Sequence, residues 1–293
     1  LGNCIQSLQK LTANNVNYCF VTNNSKTSTS KLIAKLHKIG IQIPSNSLVT
    51  ASSAAAHIIH TQKLKPLLLI ASATVEEFQD HYARQSKILS DESTKNNYIA
   101  HFDSVFVGLS KEDFVYNQLN VAFHCLHYNK QCKLYAINQA RYLNEKNVQQ
   151  IHIKMPVKNN TDGILSQQHE QEEEQKAADE NVNNLATGPF VKALEYAANA
   201  EAIVIGKPSE HFFRAGLSKL SGCESFDECV MIGDDVKDDV HGAMQYGMKG
   251  ILVKTGKYRK DDELSVDPAP TVTVANIDEA VEWIIDYNKK SGK

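Results

Sequence analysis

Short apolar runs alternate with stretches whose apolar positions recur every three or four residues, at the start of the chain and again towards its end. That alternation is the mark of β-α units laid on a parallel sheet. Leu8 and Leu11 close a short helix, and Tyr18-Cys19-Phe20-Val21 reads as a buried strand. Leu32, Ile33, Leu36 and Ile39 keep helical spacing, and Gly40 follows where a glycine commonly ends a helix. Leu48 to Thr50 is a second strand, leading into a small-residue helix from Ser52 to His60. From Pro66 a second α/β unit begins, with strands at Leu67 to Ile70, Ser104 to Val107 and Lys133 to Ile137 and a helix around Asp113 to Leu126.

Residues 144 to 187 break this rhythm. Ser166 to Asn184 offers only Ala177, Ala178 and Val182 as apolar side chains, too few for a core. Its acidic cluster, Glu170, Glu172, Glu173, Glu174, Asp179 and Glu180, reads as a solvated insertion, with a basic partner as the alternative. The rhythm then resumes with helices at Phe190 to Ala198, Ser209 to Leu220 and Asp238 to Tyr246. Strands are expected at Ala202 to Ile205, Cys229 to Ile232 and Gly250 to Val253. A last helix is capped by Asn276 with Glu279 three residues on, and carries Ala280, Val281, Ile284 and Ile285 on one face. No internal repeat is apparent.

Composition narrows the class. The 293 residues can bury a sizeable core, and 42% hydrophobic with 22% charged residues excludes a largely disordered chain. A formal charge of −3 gives no electrostatic case for nucleic acid. No apolar run approaches the roughly 18 residues of a membrane span. The 6 cysteines are scattered without a C-x-x-C pair, which fits reduced thiols in the cytosol. Leu1 to Asn15 lacks the pattern of a secretory signal, and the opening Leu1 suggests a fragment or a processed chain. The N-x-S/T triplets at Asn23 and Asn159 are discounted as chance matches.

Three segments place polar groups directly after an expected strand, where open parallel sheets bind ligands. In Val21-Thr22-Asn23-Asn24-Ser25 a hydroxyl and successive backbone N–H groups can hold an anion, although such a turn is also an ordinary strand exit. In Gly206-Lys207-Pro208-Ser209 a compact ammonium suits a phosphate or a carboxylate, although lysines at such turns are often simply solvated. Gly233-Asp234-Asp235-Val236-Lys237-Asp238-Asp239 crowds four carboxylates together. Their repulsion is relieved either by a hard cation such as Mg²⁺ or by solvent at a helix N-terminus.

In order and wide spacing the three segments resemble motifs II, III and IV of the haloacid dehalogenase superfamily. VTNNS, GKPS and VMIGDDVKDDVHGAMQYGMKGILVKTGKY are similar to its class IIA branch, in which a cap domain lies between motifs II and III. TGPFVKALEYA and YAINQARY strengthen the likeness. The resemblance implies an α/β fold: a Rossmann-like core with a parallel sheet over residues 1–63 and 188–293, and an α/β cap over 64–187 that carries the insertion at 144–187. It implies a Mg²⁺-dependent phosphatase of small phosphorylated compounds. Thr22 and Asn23 would hold the transferring phosphoryl group, Lys207 would pair with nucleophile and phosphate, Asp234 would ligate Mg²⁺, and Asp239 would support it. Asp235 and Asp238 would be exposed.

The family mechanism also needs an aspartate nucleophile on the strand before motif II. Neither Asp80 nor Asp91 has that context, so the resemblance puts the nucleophile upstream of Leu1. It leaves this chain inactive by itself and lacking one strand of the core sheet. A competing reading is a non-catalytic module that binds a phosphoryl ligand or a partner through the same pocket. Asn138, Arg141 and Tyr142 follow a cap strand and are either substrate contacts or ordinary surface. The substrate is not legible in these residues, and a homodimer stays open.

Overall fold

A computed structural model describes residues 2–44, 46–146 and 181–290. The chain enters through α1 (Gly2–Ala13), β1 (Phe20–Thr22), α2 (Thr29–Lys38), β2 (Leu48–Thr50) and α3 (Ala51–Thr61). A middle section follows with β3 (Pro66–Leu69), α4 (Gln79–Ser90), β4 (Ser104–Val107), α5 (Tyr116–Tyr128) and β5 (Lys133–Ala136). Beyond it lie β6 (Tyr142–Lys146), β7 (Asn181–Leu185), α6 (Thr187–Ala198), β8 (Ile203–Val204) and α7 (Glu210–Leu217). The chain ends through β9 (Val230–Gly233), a π-helical turn (Val236–His241), β10 (Lys249–Val253), β11 (Val272–Val274) and α8 (Ile277–Lys290).

The strands nearest the two ends are parallel but form two sheets, β1-β2 and β11-β10-β9. Among the described residues the end strands of these two sheets, β1, β2, β9 and β11, each keep one edge unpaired by another strand. The middle sheet, in the order β3-β4-β5-β8, is parallel throughout. β3 and β4 are buried along their whole length, on both faces, which is why they read as unbroken apolar runs, whereas β8 at the other edge is partly exposed. Leu67 and Leu69 pack with Ile88, Leu126 and Val191 on α4, α5 and α6. Leu68 and Ile70, pointing the other way, pack with Ile59 on α3 and Phe212 on α7. Both α6 and β8 belong to this middle packing unit, so a boundary drawn at residue 187 falls inside it.

The helix α4 is not among the sequence expectations because Ile88 and Leu89 are its only aliphatic residues. It is held instead by a polar contact. Gln85 is buried, accepts the Leu68 N–H at 2.6 Å and donates to the Leu68 carbonyl at 3.1 Å. Those bonds satisfy the backbone of β3 on the outer edge of its sheet. β11 is too short to stand out, and β6 pairs antiparallel with β7 across the break in the rhythm. The acidic cluster from Glu170 to Glu180 and the triplet at Asn159 lie outside the described residues. No helix among the described residues is long and apolar enough to cross a membrane.

Candidate active site

The three polar segments meet where β1 and β9 end. Thr22 closes β1, and its Oγ1 accepts the Asn24 N–H at 3.3 Å, which curls the chain back over the strand end. Asn23 does something the sequence did not reveal. Its Oδ1 accepts the Lys207 N–H at 2.7 Å and its Nδ2 donates to the Lys207 carbonyl at 3.1 Å. The side chain expected to hold a phosphoryl group thus clamps the backbone of the lysine. Gly206 makes this possible, since a Cβ there would lie 2.5 Å from Asn23 Oδ1 and 2.9 Å from the Ile137 carbonyl.

With its backbone fixed, Lys207 extends Nζ to within 2.7 Å of Asp239 Oδ1 and donates to the Val21 carbonyl at 3.4 Å. Both side chains of the pair are about nine-tenths buried, at 9% and 10% exposure. Asp239, expected to support a metal, is therefore committed to Lys207. Its place follows from the π-helical turn, whose wider winding lets the Asp235 carbonyl receive the N–H groups of both Asp239 and Val240, at 3.0 and 3.2 Å.

The rest of the acidic run is divided among different tasks. Asp235 caps the turn, its Oδ1 accepting from Lys237 N at 3.1 Å and Asp238 N at 3.0 Å, while its Oδ2 pairs with Lys257 Nζ at 2.9 Å. Burial opposes its charge, but the Asp238 N–H and the Lys257 ammonium outweigh burial and hold its carboxyl below the usual range. The same pairing with Asp235 overcomes burial of Lys257 and lifts that ammonium. At Asp238, burial first and the Asp235 charge second outweigh the Lys257 ammonium and push the carboxyl up to about 6. Neither aspartate is simply exposed, contrary to expectation, because the turn folds both against Lys257 and the strand end.

Asp234 accepts the Lys257 N–H through Oδ2 at 2.9 Å. The chain passes so close that a Cβ on Gly256 would lie 1.9 Å from that oxygen, and Gly256 takes φ +52°. Lys257 and Gly256 were not singled out from the sequence, although both lie in the KTGKY stretch. Among the described residues no three His, Cys, Asp or Glu side chains converge to enclose a metal. Mg²⁺ needs no such cage, as one or two carboxylates suffice when water and substrate oxygens complete its shell. Asp234, directly after the end of β9, is placed to serve as such a carboxylate.

Beside Lys207 opens a cleft of about 370 Å³, lined by Gln139 and Val204 from the middle section and by Ser209, Asp238 and Tyr246. A larger apolar groove of about 410 Å³ runs between α1 and residues 40–42, but it holds no charged group. Asn138 is buried and donates through Nδ2 to Ser25 Oγ at 2.7 Å, tying the middle sheet to the turn after Thr22. Arg141 and Tyr142 are exposed.

Two family models match the chain: haloacid dehalogenase-like hydrolase over residues 2–84 and HAD-hydrolase-like over residues 204–280. Haloacid dehalogenase-like hydrolase domain-containing protein 2 of Bos taurus is 34% identical over 96% of this chain and 88% of its own length. The phospholysine phosphohistidine inorganic pyrophosphate phosphatase of Homo sapiens is 29% identical, over 99% of this chain and 88% of its own. Among solved structures, a hypothetical protein from Pyrococcus horikoshii OT3 superposes with a TM-score of 0.73 at 20% identity, covering 97% of this chain and 93% of that one.

Proposed function

This chain belongs to the haloacid dehalogenase-like hydrolases, and on that premise we propose that it is a Mg²⁺-dependent phosphatase of small phosphorylated compounds. The observation that carries this reading is the buried Lys207–Asp239 pair at the meeting point of two strand ends. A dry ammonium fixed by a clamped backbone is suited to charge that develops on a phosphoryl group, because it needs no reorganisation when that charge appears. The phosphatase named among its relatives supports the substrate class.

In this reading Thr22 and the N–H groups of the turn after β1 hold the phosphoryl oxygens, and Lys207 faces them from the opposite side. Asp239 holds the Lys207 ammonium in place, and Asn23 sets its direction. Asp234 would hold Mg²⁺, which when bound supplies positive charge to the phosphoryl oxygens. The carboxylate that accepts the phosphoryl group in the aspartyl-phosphate route is not among the side chains gathered here. The cleft lined by Gln139 and Tyr246 receives the leaving group. In this reading the middle section, from β3 to β8 among the described residues, would serve as the cap over the core, the six free thiols suit the cytosol, and a homodimer is compatible with this arrangement.

Hydrolysis of p-nitrophenyl phosphate by the intact protein, with Mg²⁺ and then with EDTA, tests the proposal. Turnover that depends on Mg²⁺ and is lost in Lys207→Ala is expected. Tight phosphate binding through Lys207 without any turnover would instead favour a non-catalytic binding module.

A further inference from the structure

The turn leading into β9 carries two thiols side by side. Cys223 Sγ and Cys229 Sγ lie 3.2 Å apart, and both donate to the Ser225 carbonyl, at 3.7 and 3.5 Å. A covalent S–S bond is about 2.05 Å long, so an approach of about 1.2 Å would close one. The backbone between them is held in a turn by its own hydrogen bonds. The Glu228 carboxylate accepts the N–H groups of Glu224 and Ser225 at 3.1 and 3.2 Å, and the Cys229 N–H bonds the Phe226 carbonyl at 3.0 Å. Neither thiol has a part in the chemistry around Lys207.

Accessibility separates the two members of the pair. Cys223 is half-buried, whereas Cys229 and Cys125 are buried. Burial also pushes the Cys229 thiol up to about 12, so the half-buried Cys223 is the member of the pair that an oxidant reaches first.

We propose that Cys223 and Cys229 form a redox pair, which a hydroperoxide closes into a disulfide and a dithiol reopens. Cys223 attacks the terminal peroxide oxygen: an S–O bond forms, the O–O bond breaks, and the leaving oxygen takes the thiol proton as water or alcohol. The Cys229 sulfur then attacks the sulfenic sulfur; the S–S bond forms, the S–O bond breaks, and water departs with the Cys229 proton. The two thiols lose two electrons and the hydroperoxide gains them. The bridge fixes the turn to Cys229, the residue before β9, whose far end delivers Asp234.

The test exposes the folded intact protein to stoichiometric hydrogen peroxide, alkylates free thiols and cleaves after glutamate. Cleavage at Glu224 and Glu228 parts the two cysteines unless they are bridged. A cross-linked peptide pair lacking two hydrogens, absent after dithiothreitol and absent in Cys223→Ser, is expected, with Cys132→Ser unchanged. Should Cys229→Ser fail to fold, the half-buried Cys223→Ser variant carries the decision. A sulfinic acid on Cys223 with Cys229 still alkylated, or a bridge from Cys223 to Cys19, would overturn the proposal.

Discussion

Lys207 concentrates the residue-scale argument, since three separate groups hold it: Asn23 grips its backbone, and Asp239 and the Val21 carbonyl receive its ammonium. Lys207→Ala should lower kcat by about 100-fold to 1000-fold, the scale of losing one preorganised charge-stabilising donor. It should also destabilise the fold by roughly 3–5 kcal/mol, because Asp239 is left buried without its partner. Lys207→Arg should rescue poorly, a planar fork being unable to take the place of a compact ammonium. Lys192, whose side chain is 69% exposed beside Glu195, is the control and should tolerate alanine. Steady-state kinetics and urea melts of these variants check both halves; near wild-type kcat/KM in Lys207→Ala would dismiss the site. Gly256→Ala should displace Asp234, since its Cβ would overlap Oδ2, and weaken Mg²⁺ binding measured by calorimetry. Unchanged affinity would mean that Asp234 is not the ligand.

At the scale of the element, the π-helical turn after β9 converts a run of like charges into distinct roles. One acid caps the turn, one meets a lysine from another segment, and one is left crowded. Asp235→Ala should cost about 1 kcal/mol, as for a lost helix N-cap, and should free Lys257. Asp238 titrates in the opposite sense to a paired carboxylate. Its carboxyl is lifted from 3.8 to about 6, so between those values the folded state binds more protons and stability falls as pH rises. Asp238 is partly solvated, so after screening Asp238→Asn should gain on the order of 1 kcal/mol over wild type as pH climbs from 4 to 7 in EDTA. Denaturant melts across that range decide it, and a difference independent of pH would refute the assignment.

Across the whole molecule, the proposed phosphoryl site draws on sheets that share no ladder, so occupying it should link them. Mg²⁺ with inorganic phosphate at about 100 times the dissociation constant should stabilise the fold by about 2.7 kcal/mol. The thermal midpoint should rise in wild type and far less in Lys207→Ala. Equal shifts in both would place the anion elsewhere. The Ser25–Asn138 contact is one structural link from the site to the middle sheet, and its two residues lie 113 apart in sequence.

Periodicity alone determined the β-α character, the apolar runs that form β3 and β4 and the end of α2 near Gly40, since these depend on neighbours a few residues away. The strand-end motifs were legible for the same reason: VTNNS, GKPS and GDD each announce a turn after an apolar run. What each side chain does there was not. Asn23 looks like a ligand holder and is a clamp on Lys207, and Asp239 looks like a metal's neighbour and is the partner of a buried ammonium. α4 was hidden because a buried Gln85 does the work of an apolar residue by pairing with Leu68. The partners in these contacts are 17 to 184 residues apart or are set by a local winding of the helix. A hydrogen bond or ion pair depends on which atoms are brought within about 3 Å in a dry interior, and only the tertiary fold decides that.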